Sequence, residues 1–204
     1  MIPPTRLPLQ VAFLTGQSDP RSAALSPAQA AFLAALPLPD AGKVALNFPY
    51  PAGASVRPFS PVALLVASVR NARQHLASRR PAFAEVYRRP VAALLARADR
   101  TLFLAGSCGL ELFNNLLLPA GLLRRVTILA YGPVARRRPD CACLLVQGRR
   151  DWLSRRYFRR ADTYVDAGHM DYLACPAVLA LARERVARLV AAAGTLAAVP
   201  SPAP

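Results

Sequence analysis

The sequence predicts the α/β class: a mostly parallel six-stranded sheet with helices on both faces. Three observations predict it. Short apolar runs alternate with segments of helical period along most of the chain. The runs are almost continuously apolar, as strands buried on both faces are. Three of them end at a small residue followed by a side chain capable of nucleophilic or acid–base chemistry, as loops at the ligand end of a parallel sheet often do. The chain has 204 residues, 54% apolar and 18% charged, which suits one domain with a sizeable core. That domain is expected over residues 1–198, with a flexible proline-rich tail at 199–204.

The elements follow in order. Leu9 to Thr15 reads as the first strand, ending at Gly16. Ser26-Pro27 is a helix start, with Ser as N-cap and Pro at the first helical position, and Phe32, Leu33 and Leu36 supply its stripe. Lys43 to Phe48 is the second strand, stopped by Pro49. Residues 61 to 98 read as helical, with Leu64, Leu65, Ser68, Val69, Ala72 and Leu76 keeping the 3.6 period. Pro81 should divide this region, because it removes a donor and clashes with the preceding turn. Thr101 to Ala105 is the third strand, and Cys108 to Leu118 its helix, ended by Pro119 and Gly121. Val126 to Ala130, Cys141 to Val146 and Thr163 to Val165 complete the sheet. The closing helix spans about Pro176 to Ala192. About ten residues, Tyr131 to Asp140, join strands four and five, fewer than a parallel crossover usually takes.

Composition excludes several functions. The formal net charge is +15, yet the arginines are scattered in pairs and triplets without the interleaved aromatics of a single-strand binder. Lys43 is the only lysine, a bias that GC-rich coding produces. No nucleic-acid role is expected, although the charge favours anionic partners. No apolar run of membrane-spanning length is present, and the N-terminus lacks a signal-peptide build, so a cytoplasmic location is expected. Cys108, Cys141, Cys143 and Cys175 lack metal-ligand spacing, so no metal and no cofactor are expected. Leu14-Thr-Gly-Gln-Ser18 lacks the glycine pattern and lysine of a nucleotide site.

Chemistry is carried by three segments: Ala105-Gly-Ser107-Cys108-Gly109, Gly148-Arg-Arg-Asp151 and Gly168-His169. A nucleophile on a tight strand-to-helix turn needs small residues two positions before and after it. Ser107 has Ala105 and Gly109 there; Cys108, the alternative nucleophile, has Gly106 and the bulky Leu110. His169 follows a short strand, whereas His75, between Gln74 and Leu76 on a helix, reads as a surface residue. Asp151 can orient an imidazole or cap a helix beginning at Trp152. Asp162, Asp166 and Asp171 are rival acids. The Arg136-Arg137-Arg138 run reads as a solvated loop, or as the rim of an open entrance.

These segments resemble the α/β-hydrolase superfamily, whose order is nucleophile, acid, base. The turn at Ser107 is similar to the family's Ala-x-Ser-x-Gly elbow. The resemblance runs from about Leu9 to Ala192 and implies the family's eight-stranded sheet reduced to six. It implies Ser107 as nucleophile, His169 as base and Asp151 as orienter. It also implies an oxyanion hole from the backbone N–H groups of Cys108 and Gln17. Gly16, Phe48 and Tyr50, in loops at the ligand end, are expected to bind substrate. The family's usual lid lies between strands four and five, where this chain is short. The implied activity is hydrolysis of a small-molecule ester or an acyl thioester, the latter carried on an acidic partner such as an acyl carrier protein. The competing reading is a catalytically silent scaffold of the same fold that binds a protein partner or an anionic ligand.

Overall fold

The structure, a computed structural model, describes residues 6–51 and 57–197. The tail expected at 199–204 lies outside them. In chain order the elements are β1 (Leu7–Leu14), α1 (Pro27–Ala34), β2 (Lys43–Asn47), α2 (Leu64–Ala77), α3 (Pro81–Leu95), β3 (Ala98–Gly106) and α4 (Gly109–Asn115). They continue with α5 (Ala120–Leu123), β4 (Val126–Tyr131), β5 (Ala142–Gly148), α6 (Trp152–Tyr157), β6 (Thr163–Val165) and α7 (Pro176–Ala197). The six strands form one sheet in the order β2-β1-β3-β4-β5-β6, and every neighbouring pair is parallel. This architecture is consistent with an α/β-hydrolase-like fold.

Strand alternation divides the core into two layers. Val11, Phe13, Leu102 and Leu104 pack with Phe32 of α1 and Val178, Ala182 and Val186 of α7. Ala12, Leu14, Phe103 and Ala105 point the other way, toward Val91 and Leu95 of α3 and Leu110 and Leu112 of α4. Successive side chains of a strand face opposite sides. A sheet covered on both faces therefore needs the unbroken apolar runs seen here, and each fully buried Leu or Phe contributes about 1.5–3 kcal/mol.

Local chemistry sets the helix ends. Ser26 Oγ accepts from the Gln29 N–H at 3.2 Å, and Gln29 Oε1 accepts from the Ser26 N–H at 2.9 Å. This capping box, with Pro27 at the first turn, starts α1. Pro81 opens α3 and so separates it from α2.

The short β4–β5 connection holds no helix. Its residues pack against α4 themselves. Ala135 is fully buried, the Arg136 N–H and guanidinium donate to Glu111 of α4 at 3.0 and 2.7 Å, and Asn114 Nδ2 donates to the Arg137 carbonyl at 2.9 Å. These contacts take the place of a crossover helix.

Helix α2 forms where the 3.6 period predicts it, but its apolar residues Leu64, Leu65, Val69 and Leu76 are all exposed rather than in the core. Arg70, Gln74 and His75 point inward instead. The reason is that α2 lies over the ligand end of the sheet, where Gln74 Oε1 accepts from the Gln17 N–H at 2.8 Å and Arg70 donates to the Ser18 carbonyl at 2.8 Å.

Between β1 and β3 the strand order reverses, because β2 pairs outside β1 and the chain then returns to place β3 on the other side. The loop after β1 leads to α1 on one face. The loop after β3 leads to α4 on the other. Diverging loops leave a crevice at the carboxyl ends of the strands. No helix among the described residues is long and apolar enough to cross a membrane.

Candidate active site

Ser107 stands at the crevice, one residue past β3, with φ of 51°. A non-glycine residue in this left-handed region costs of order 1–3 kcal/mol and persists only where its surroundings fix it. Here they do: the Ser107 N–H donates to the Tyr131 carbonyl at 3.2 Å, and the Ser107 carbonyl accepts from the Val134 N–H at 2.9 Å. Both backbone groups are thus held by the end of β4 and the loop beyond it. Gly109 makes the turn possible. A Cβ there would lie 1.8 Å from the Leu14 carbonyl oxygen, so only glycine lets α4 start this close to β1. At the position two before Ser107, Ala105 is fully buried between its sheet neighbours and the helix layer.

His169 reaches the same point from the loop after β6. Gly148 at the end of β5 lets that loop pass, since a Cβ there would sit 2.2 Å from the Ala167 carbonyl oxygen. Ser107 Oγ and His169 Nε2 are 3.0 Å apart. On the other side of the ring, His169 Nδ1 lies 2.9 Å from Asp151 Oδ2. A carboxylate can only accept, so Nδ1 carries the proton and Nε2 presents a lone pair to the serine hydroxyl.

Asp151 is fully buried and both of its carboxylate oxygens are engaged. Oδ1 accepts from the Ser154 N–H at 3.0 Å, capping α6. Oδ2 accepts from His169 and also from the Tyr172 hydroxyl at 2.6 Å. Burial alone would raise its pKa. The hydrogen bonds from His169, Ser154 and Tyr172 outweigh burial and hold the carboxyl below its ordinary value. The rival acids are engaged elsewhere: Asp162 with Arg138 and the Leu145 N–H, Asp166 with Arg150, and Asp171 with the Gly168 N–H.

Cys108 separates from Ser107. It is buried, with its sulfur against Gly16, and burial pushes its thiol up to about 12. A thiol that stays protonated and covered is not a nucleophile at neutral pH. Gln17, the second expected oxyanion donor, has its N–H committed to Gln74 Oε1 at 2.8 Å. An oxyanion can use it only by displacing that carboxamide.

Two expected substrate-binding residues are corrected. Phe48 is fully buried and packs on Phe83 and Tyr87. Tyr50 is also buried, and its hydroxyl donates to the Phe13 carbonyl. The chain turns inward after β2, because these rings complete an aromatic cluster under α3. Gly16 does line the cavity, joined by Asn47 from the end of β2. The Arg136–Arg138 run is paired, with Glu111, Asp140 and Asp162 as partners, and does not rim the cavity.

No protein-family model and no curated protein matches this chain. The site therefore rests on its own geometry.

The cavity holding Ser107 and His169 measures about 760 Å³, within the usual range for small-molecule sites. One wall is polar, with Thr15, Ser22, Gln29 and Asn47; Phe59, Leu64, Leu76 and Met170 form an apolar wall near the mouth. Among the described residues, no group of three or more His, Cys, Asp or Glu side chains could hold a metal.

Sequence reasoning missed two features. Tyr172 both donates to Asp151 and accepts from the Gly148 N–H at 2.7 Å, so it ties the acid to the end of β5. Its place three residues after His169 is the only local sign. His75, expected at the surface, is buried and lines the cavity. Its Nε2 accepts from Arg79 at 2.7 Å. Arg79 in turn reaches Glu111 at 3.2 Å, and that buried carboxylate is what draws the α2 end inward.

Proposed function

We propose that the chain is a serine hydrolase of α/β-hydrolase type that cleaves carboxylic esters or thioesters through an acyl-enzyme. The observation that carries this reading is the continuous hydrogen-bond path from Ser107 Oγ through His169 to Asp151, with distances of 3.0 and 2.9 Å. Both lie within the reach that nucleophile and base require.

The steps follow from the protonation pattern. Ser107 Oγ bonds to the substrate carbonyl carbon while its proton passes to His169 Nε2. Asp151 stabilises the resulting imidazolium without taking its proton. The negative oxygen is met by the Cys108 N–H at the start of α4 and by the Gln17 N–H once Gln74 yields it. Each such donor contributes roughly 3–4 kcal/mol in comparable sites. The carbon–oxygen or carbon–sulfur bond then breaks, and His169 Nε2 gives its proton to the leaving group. Water repeats the sequence on the acyl-enzyme and restores Ser107.

One observation favours the silent scaffold: the hydrogen bond from the Gln17 N–H to Gln74. A series of p-nitrophenyl esters of increasing chain length separates the two. A hydrolase should turn over the shorter esters and lose turnover by about 10⁴-fold or more in Ser107→Ala and His169→Ala. Gln74→Ala should raise turnover several-fold, since the oxyanion no longer competes for a donor worth about 1 kcal/mol. Wild-type protein that is folded and inert toward every ester, with Gln74→Ala equally inert, would establish the scaffold reading.

A further inference from the structure

Helix α2 is amphipathic in the reverse sense. Its polar residues Arg70, Gln74 and His75 bond inward, while Leu65 is 82% exposed and Leu64, Val69 and Leu76 are each at least half exposed. Leu64 and Leu76 also line the cavity of Ser107, as does Met170, which is 71% exposed. Across the mouth stands α6, whose Leu153 and Tyr157 line the same cavity and whose Trp152 is 74% exposed. Exposed apolar side chains thus gather around one opening. A folded chain gains nothing by presenting them to water, so the face is built to be covered.

Charge identifies what covers it. Residues 57–84 contain Arg57, Arg70, Arg73, Arg79 and Arg80 and no Asp or Glu. Residues 149–160 contain Arg149, Arg150, Arg155, Arg156, Arg159 and Arg160, with the buried Asp151 as their one acid. Glu111 and Asp166 pair with Arg79 and Arg150. Arg73, Arg80, Arg155 and Arg156 are exposed and have no carboxylate partner among the described residues.

We propose that the α2–α6 face docks on an anionic lipid surface. A second copy of the chain is disfavoured as occupant, because two such faces repel. The rim is dominated by one sign, with Asp166, paired to Arg150, and Asp171, beside Met170, as exposed acids, and such an excess recognises a charge density rather than the mixed surface of an individual protein. Leu65, Leu64 and Met170 are long enough to enter the acyl boundary. Trp152 suits the headgroup level, and arginine stems lie along the boundary with their heads in the phosphate layer. The inference rests on exposure and charge and stands whether or not Ser107 is a nucleophile.

Trp152 is the only tryptophan, so its emission reports this face alone. The full chain is titrated with vesicles of phosphatidylcholine containing increasing phosphatidylglycerol, with co-sedimentation measured in parallel. Expected are binding that rises with the anionic fraction, a blue shift of Trp152 emission, and weakening of both by salt. Arg73→Gln and Arg156→Gln should each lower partitioning about five-fold, since each surface arginine contributes about 1 kcal/mol. Leu65→Ser with Val69→Ser, which alters only exposed positions, should abolish the blue shift while leaving thermal unfolding unchanged. Absence of binding by wild type at every composition would overturn the proposal. Binding without a blue shift, or unaffected by the leucine and valine changes, would reduce it to charge adsorption and overturn it also. A blue shift of equal size with soluble polyglutamate would move the assignment to an acidic protein, and one that grows with protein concentration alone would move it to self-association.

Discussion

Asp151 ties three segments together through its two carboxylate oxygens. One oxygen caps α6, and the other holds His169 and Tyr172. Because its folded pKa is depressed, its contribution to stability is present above the ordinary aspartate value near 3.9 and is lost as pH falls through the folded value. Thermal unfolding from pH 7 to pH 3 should therefore show Asp151→Asn less stable than wild type at neutral pH, with the gap closing in acid. A gap that stays constant would mean the carboxylate is not held by these donors. Gly109 offers a sharper test of backbone geometry. With the Leu14 carbonyl 1.8 Å from a new Cβ, Gly109→Ala should cost about 3 kcal/mol or more in urea unfolding, whereas Gly121→Ala, whose nearest neighbour is 3.8 Å away, should cost far less. Steric need of this kind was readable in the sequence, since small residues flanked Ser107 on both sides. Tyr172 was not, because nothing local to it says that its hydroxyl turns back to an aspartate 21 positions earlier.

At the scale of elements, periodicity located α2 and Pro81 ended it, but the period could not say which face turns inward. That depends on Glu111, a buried carboxylate on α4 whose partners Arg79 and Arg136 come from two other segments. Long-range pairing of this kind leaves no spacing to read. The sheet beneath already has its cover on that face from α3 and α4. Phe48 and Tyr50 failed for the same reason: position after a strand suggested a ligand loop, while the aromatic cluster under α3 drew them in. The joint between α2 and α4 has a pH dependence of its own. Burial lowers the His75 pKa, and a protonated ring could not accept from Arg79. The unfolded chain therefore takes up this proton first, and stability falls as pH drops below about 6.5. Between pH 7.5 and pH 5, wild type should lose thermal stability more steeply than His75→Gln. Parallel slopes would show that His75 does not titrate against Arg79.

Over the whole molecule, the arginine excess has a division of labour that composition alone could not reveal. Arg136, Arg137 and Arg138 are each paired with a carboxylate, while Arg73, Arg80, Arg155 and Arg156 are exposed on or beside α2 and α6 with none among the described residues. The sheet was legible because apolar runs and breakers mark every strand, and its strands carry Ser107, Asp151 and His169 to one rim from positions 107, 151 and 169. That meeting is the centre of the account, and a fluorophosphonate probe tests it directly. Incubated with folded protein and followed by peptide mass analysis, the probe should modify Ser107 in wild type and in Cys108→Ala, and leave Ser107→Ala and His169→Ala unmodified. Labelling that follows Cys108, or a wild-type protein that takes up no label, would contradict it.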